Sequence, residues 1–418
     1  MITYIDKTEL ERFMDRDDAS HIGYSYSWED ENVVHLRFEK TRHSFGLVGR
    51  VLFYKIGKFD AHNQNCYDFI VGVGDTLIVN AITDNNAQEC EINFIPDYEN
   101  LYSRSKGLLE VGTLKEKRVL IIGLGSFGSQ IAIELAKAGV GKFALVDFDR
   151  VELHNISRHT ATLNDLGRLK TDVIYDSIKG KNPFAHVELF PFDITTKLDI
   201  LDEQVQMADI IICATDNNKS RYIISQSLVK LSKIGIFGRA VTRAEGGDVF
   251  IYRPGGPCYA CLLGINSIAN INEEISDEQR ARERGQIPAY MSDEQASTMV
   301  QVGLSADIAP ICNMMEKLAL LELSRGTDSG IAQLEEDFVF DYYIWANRRE
   351  KRHINFYPMP QAGSKPTIMR WYGAIIKRNG HCPLCNIDDL ELDEGEDVIS
   401  GYSDFLNNGN MEIETSHR

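Results

Sequence analysis

The chain lacks any apolar run of about 18 residues, the length a helix needs to span a bilayer, so no transmembrane helix is expected. Its first residues, Met1 to Asp6, have neither the basic region nor the apolar core of a secretory signal, and a cytoplasmic location is the corresponding expectation. Positive charge is scarce: 44 Lys and Arg stand against 62 Asp and Glu, a net charge of -18, which disfavours nucleic acid as a partner. Much of that deficit is local. Residues 387–418 carry ten acids (Asp388, Asp389, Glu391, Asp393, Glu394, Glu396, Asp397, Asp404, Glu412, Glu414) against Arg418, the pattern of a solvated, disordered tail. Cysteines number only eight in 418 residues. In a chain without a secretory signal they argue for metal ligands or free thiols rather than disulfides. The length suits two or three domains.

What is present is organised around Val119 to Lys170. Val119-Leu120-Ile121-Ile122 is an apolar run of strand length. Gly123-Leu124-Gly125-Ser126-Phe127-Gly128 follows, and then a helical pattern from Gln130 to Ala138. In a strand–Gly-x-Gly-x-x-Gly–helix unit the first glycine permits a tight turn. The second lets backbone approach a phosphate, and the third lets helix pack on strand, with the helix N-terminus facing the anion. A second buried strand, Phe143 to Val146, ends in Asp147, about 20 residues on, where an acid usually holds a ribose hydroxyl. By itself this pattern fits an NAD-dependent oxidoreductase, or a tight turn with no ligand. The next residues tilt the reading towards a nucleoside triphosphate. Asp149, Asn155, Arg158 and Lys170 come in sequence, and cations after the ribose acid stabilise charge on a departing pyrophosphate.

This stretch resembles the ubiquitin-activating-enzyme superfamily, including the ThiF/MoeB-like adenylyltransferases of thiamine and molybdopterin biosynthesis and the microcin-type peptide adenylyltransferases. The shared pattern is the Gly-rich loop, Asp-x-Asp-x-Val, Asn-x-x-Arg and Gly-x-x-Lys. The resemblance implies that Asp147 holds the ribose, and that Asn155, Arg158 and Lys170 surround the triphosphate. His159 departs from it, standing where the family usually has Gln. The resemblance extends to Ala208–Arg221, a buried strand ending in Thr215-Asp216-Asn217, where Asp216 would hold the magnesium of ATP; a hard carboxylate with phosphate oxygens suits that ion. It also implies that Arg104, in Tyr102-Ser103-Arg104, reaches the ATP of a second subunit in a homodimer, as an arginine finger does.

Two Cys-x-x-Cys knuckles, Cys258/Cys261 and Cys382/Cys385, suit a closed, tetrahedral, four-thiolate zinc site. The superfamily carries the same pair, so the zinc is read as structural. A thioredoxin-like reading is set aside because neither pair is expected at the start of a helix in a thioredoxin-like unit. Residues 262–305 match the superfamily's crossover loop and contain no cysteine. Cys312 lies in a helical apolar pattern, Asp307 to Glu322, and is expected to be buried, as are Cys66, Cys90 and Cys213. The basic cluster Arg348–His353 reads as a solvated face.

The expected architecture is therefore α/β: a Rossmann-like mixed sheet with helices on both faces, a zinc knuckle pair and an N-terminal β-rich accessory domain. The domains are 1–98 with hairpin-forming strands, 99–386 for adenylation, and the tail 387–418. The reaction the resemblance implies is ATP- and magnesium-dependent adenylation of the C-terminal carboxylate of a ubiquitin-like protein or small peptide. Such a carboxylate is ionised at pH 7 and needs no general base. A full activating enzyme that forms a cysteine thioester is the alternative, a catalytically inert scaffold a further one. A bacterial ubiquitin-like conjugation system, including one in antiviral defence, and a peptide-modifying pathway both fit.

Overall fold

The computed structural model describes residues 1–27, 32–40, 46–58, 66–83, 86–96, 98–240, 244, 246–263, 303–347, 368–380, 382 and 384–386. These fall into two compact units, Met1–Arg104 and Ser105–Arg418. The crossover segment 264–302, the basic cluster 348–353 and the acidic tail 387–418 lie outside the described residues.

In the first unit, alternating apolar residues build one eight-stranded sheet. Its strands are β1 (Ile2–Asp6), β2 (Ser20–Ser27), β3 (Val33–Arg37), β4 (Gly46–Lys55), β5 (Phe69–Val73), β6 (Leu77–Thr83), β7 (Asn86–Glu89) and β8 (Glu91–Ile95), in the order β7-β6-β5-β4-β2-β3-β1-β8. Helix α1 (Lys7–Asp15) begins at Asp6, whose side chain accepts from the Glu9 N–H and so satisfies an end-of-helix donor. It buries Leu10 and Phe13 in a core with Ile5, Leu36, Phe53 and Val71. The hairpin expectation needs correction. β5–β6 and β6–β7 are antiparallel neighbours, but β4 and β5 run parallel, and β1 is parallel to both β3 and β8. Alternation specifies which face is buried, and says nothing about the direction of the partner strand. Of the two cysteines here, Cys90 is buried as expected, whereas Cys66 is exposed, because it precedes β5 rather than contributing an inward position to it.

The second unit is a mixed sheet of β9 (Arg118–Ile122), β10 (Lys142–Val146), β11 (His186–Phe190), β12 (Ile210–Cys213), β13 (Gly235–Ala240), β14 (Gly246–Tyr252), β15 (Tyr342–Ala346) and β16 (Arg370–Ala374). The order is β11-β10-β9-β12-β13-β14-β15-β16. The strands from β11 across to β13 are parallel, and β14, β15 and β16 continue antiparallel. Every residue of β9 is buried, as a central parallel strand requires. Leu120 and Ile122 face a cluster with Leu201, Val205, Ile224 and Leu228. Val119 and Ile121 face the opposite cluster, with Ile131, Leu135, Ile174 and Ile311. These partners come from α2 (Ser126–Lys137), α3 (Lys170–Lys181), α4 (Leu198–Met207), α5 (Asn218–Leu231) and α6 (Ser305–Leu323), so helices cover both faces. From β9 the chain steps outward to β10 and β11, then returns past β9 to β12. The carboxyl ends of β9 and β12 thus flank a topological switch point, where open α/β sheets bind ligands.

Candidate active site

The Gly-rich loop leaves β9 at this switch point, and its three glycines do different work. Gly123 has φ +90°, and a Cβ there would lie 2.7 Å from the Ala214 carbonyl oxygen beyond β12. A Cβ on Gly128 would meet the Gly123 carbonyl oxygen at 1.9 Å, which is how closely α2 packs on the turn. At Gly125, which caps α2, a Cβ would meet nothing within 4 Å. The open space over the start of a twelve-residue helix is a cradle of the kind that accepts a phosphate.

Asp147 follows β10 and is only 8% exposed. Its Oδ2 accepts from the Leu124 N–H at 2.6 Å and its Oδ1 from the Asp149 N–H at 2.8 Å. Burial nevertheless pushes its carboxyl above the ordinary value, against the opposing pull of Lys170 and the two N–H donors. A carboxylate offers about four acceptor positions, so two remain for ribose hydroxyls. The Lys170 Nζ, buried at the start of α3, donates to Asp149 Oδ2 at 2.7 Å. Asn155 uses its Oδ1 to accept from the Glu152 N–H at 2.9 Å, leaving its amide end as the donor. Arg158 is half-buried, and burial lowers its guanidinium from the ordinary value. Among the described residues it forms no ion pair with an acid, and its Nη1 lies beside Gly303.

His159 joins these parts. Its Nδ1 accepts from the Ala161 N–H at 2.9 Å, so the ring proton sits on Nε2, which donates to the Leu124 carbonyl at 2.8 Å. Burial lowers its value, which keeps the ring neutral. One donor and one acceptor on a buried planar group is also what a glutamine amide offers, so the departure at this position preserves the bonding. Leu124 is held through its N–H by Asp147 and through its carbonyl by His159. The Gly-rich loop, the acid after β10 and the Asn155–Arg158 segment therefore form one connected site. Sequence reading noted His159 but gave it no role; the signal was its place directly after Arg158.

Asp216 is exposed at the carboxyl end of β12. Arg221, which sequence reading gave no role, is buried behind it and donates to the carbonyls of Thr215 and Gly238, fixing the ends of β12 and β13. Arg104 is exposed on the turn Ser103–Ser105, the last residue of the first unit, and is not among the side chains gathered here.

The four cysteines of the two knuckles converge. Their sulfur atoms all lie within 4.8 Å of one another. Cys258–Cys261 is 3.8 Å, Cys258–Cys382 3.5 Å and Cys261–Cys385 3.6 Å. Four thiolates about 2.3 Å from a tetrahedral zinc stand about 3.8 Å apart, so the donor set fits zinc. The Asn379 N–H donates to Cys261 Sγ at 3.5 Å, the outer-shell bond such sites use. Cys258 immediately precedes a helical turn over 259–263, but its sulfur sits in a cluster of four and not in an isolated pair. Cys213 and Cys312 are fully buried, and burial pushes both thiols up.

A glycine-rich loop at the switch point of a Rossmann-like sheet, bonded to Asp147 and, through His159, to the segment of Asn155 and Arg158, defines a nucleotide-binding α/β protein. The chain belongs to the ThiF family, whose model matches residues 100–354. It is 34% identical over 192 residues to the "Probable molybdopterin-synthase adenylyltransferase" of Porphyra purpurea, covering 45% of this chain and 48% of that protein. It is 32% identical over 173 residues to the "Sulfur carrier protein adenylyltransferase" of Thermus thermophilus, covering 39% and 63%. The match thus spans about half to under two thirds of these relatives. A solved structure of E. coli MccB with ATP shares 17% identity at a TM-score of 0.47, over 66% of this chain and 68% of that one; so remote a likeness carries no functional information.

Proposed function

We propose that the chain is an adenylyltransferase that activates the C-terminal carboxylate of a ubiquitin-like protein or small peptide with ATP. The observation that carries this reading is Arg158: a half-buried cation with no acidic partner among the described residues, on a segment tied through His159 to the glycine loop. Such a site awaits an anion. A substrate carboxylate oxygen attacks the α-phosphorus, the bond to the β-phosphate breaks, and its electron pair leaves with pyrophosphate, giving an acyl-adenylate. Gly123, Gly125 and Gly128 shape the cradle, and Asp147 takes the ribose. Asn155, Arg158 and Lys170 stabilise the departing charge, with Lys170 exchanging part of its pairing with Asp149 for phosphate. Asp216, an exposed carboxylate beside the cradle, would hold a magnesium ion, which supplies charge neutralisation. Catalysis is then positioning plus electrostatics.

Arg104 completes the site from a second copy in a homodimer, and the zinc held by Cys258, Cys261, Cys382 and Cys385 is structural. The N-terminal region (1–98) is an accessory domain that handles the substrate or packs the dimer, 99–386 the adenylation domain, and the location cytoplasmic. The burial of Cys90, Cys213 and Cys312 argues against a thioester on any of these three, which leaves the exposed Cys66 as the free thiol such a step would use. We favour a reaction that stops at the adenylate or passes it to another nucleophile. The test is ATP–pyrophosphate exchange with intact mass analysis, without reductant, using Gly-ended ubiquitin-like proteins and small peptides as candidate substrates. Added AMP on the substrate with the enzyme unmodified is expected. A reductant-sensitive enzyme adduct would establish the thioester alternative. In a thermal shift, ATP with magnesium at 100 times its Kd adds about 2.7 kcal/mol; stabilisation by NAD instead would overturn the reading.

A further inference from the structure

The four-cysteine cluster and the Asp216 loop belong to different parts of the second unit, and one side chain links them. Tyr259 sits between the ligand positions Cys258 and Cys261. Its ring is buried and stacks on Phe237 of β13 at 4.9 Å and 23°. Its backbone N–H donates to Ser225 Oγ at 3.3 Å. Its hydroxyl donates to Asn218 Oδ1 at 2.9 Å. Asn218 opens α5, two residues after Asp216. The loop between β12 and α5 is otherwise tied to its own helix: the Ser220 N–H donates to Asn217 Oδ1 at 2.8 Å, Ser220 Oγ bonds Thr215 Oγ1 at 2.7 Å, and Arg221 holds the Thr215 carbonyl.

We infer that Tyr259 is a positioning residue, a peg driven from the cysteine knuckle that sets where Asp216 presents its carboxylate to magnesium. The inference rests on the magnesium role of Asp216. A ring stacked on the sheet, on a backbone held between two ligand positions (Cys258 directly before it, Cys261 two residues on), has little freedom, so its hydroxyl is a fixed point. Asn218 is registered to that point, and with it the first turn of α5 and the loop before it. The cluster thereby contributes to metal–nucleotide affinity without touching either.

The test compares ATP affinity with magnesium and in magnesium-free buffer without chelator, in wild type, Tyr259→Phe, Asn218→Ala and Asp216→Ala, with zinc content measured for each. Wild type should bind ATP more tightly with magnesium, and Asp216→Ala should lose that advantage. Tyr259→Phe, which keeps the ring and the zinc, should reduce the magnesium advantage by about 3- to 10-fold, the scale of one hydrogen bond, with ATP affinity in the absence of magnesium unchanged. Asn218→Ala should do the same, and the double variant should add nothing further. A general packing role would weaken binding in both conditions. If Asp216→Ala loses the advantage and Tyr259→Phe keeps it within twofold, the inference is overturned and the adenylation reading stands. If Asp216→Ala also keeps it, the magnesium role of Asp216 falls, and the inference with it.

Discussion

Replacing two glycines of one loop, three positions apart but opposite in consequence, separates folding from ligand binding. At Gly128 an added Cβ would lie 1.9 Å from the Gly123 carbonyl oxygen and 2.9 Å from its carbon. Those atoms are backbone and cannot rotate away, so α2 must lift from the turn by more than an ångström. Overpacking of this kind costs about 1–3 kcal/mol or more, offset by roughly 1 kcal/mol of helix propensity gained on going from Gly to Ala. Because the clashing atoms are backbone, the severe end of that range applies, and Gly128→Ala should lose about 2 kcal/mol or more of stability. Gly125 has φ -71° and open space around its would-be Cβ, so Gly125→Ala should cost about 1 kcal/mol or less, the scale of an N-cap change. Its methyl group, however, projects into the cradle. ATP affinity should drop at least tenfold while the melting temperature moves by a few degrees at most. Urea unfolding and calorimetric ATP titration of both variants give the four numbers. ATP binding as tight as wild type in Gly125→Ala would refute the cradle, and wild-type stability in Gly128→Ala would refute the packing argument.

Three other outcomes follow from the geometry. His159→Gln should bind ATP within a few-fold of wild type, whereas His159→Ala leaves the Leu124 carbonyl and the Ala161 N–H without their partners and should lose about 2–4 kcal/mol; equal losses in both would discard the amide-mimic argument. Because the folded His159 value is depressed, its contribution is intact above the ordinary histidine value and is lost as pH falls below about 6.5. Cys382→Ser should abolish stoichiometric zinc in elemental analysis and lower the melting temperature by several degrees; full zinc occupancy would show that the cluster is not its site. Glu316 on α6 is pushed up to about 7, chiefly by burial, with Glu134 of α2 adding repulsion and Lys137 opposing. A raised folded value gives stability that is present below the unfolded value and lost as pH rises through 7. Glu316→Gln should be more stable than wild type at pH 8 by up to about 2–3 kcal/mol and no different at pH 4, as read from unfolding curves at the two pH values.

The nucleotide half of the chain was legible because its signals are local. An apolar tetrad, three glycines and an acid define strand, turn, helix and strand within thirty residues, and each was found where the pattern put it. The convergence of Cys258, Cys261, Cys382 and Cys385 was legible because thiolate pairs have few other uses in such a chain. What stayed hidden depends on partners distant in sequence. The bonds of His159 to Leu124, of Lys170 to Asp149 and of Arg221 to Gly238 each need a second segment in place before the side chain has a role. In the first unit, the same limit turned parallel neighbours such as β4 and β5 into expected hairpins.

The cysteine cluster also has a bearing on how this chain can vary. Cys258 and Cys382 are 124 positions apart yet their sulfurs are 3.5 Å apart, and β14 and β16 stand close to either end of that span. The span between 262 and 381 includes α6, β15 and β16, which belong to the sheet and its core, and its two ends are pinned at one point. Closing such a loop grows dearer only logarithmically, by about 0.6 kcal/mol for each doubling of its length. Related chains can therefore change length in the connections between these elements at little cost, whereas α6, β15 and β16 themselves should keep theirs.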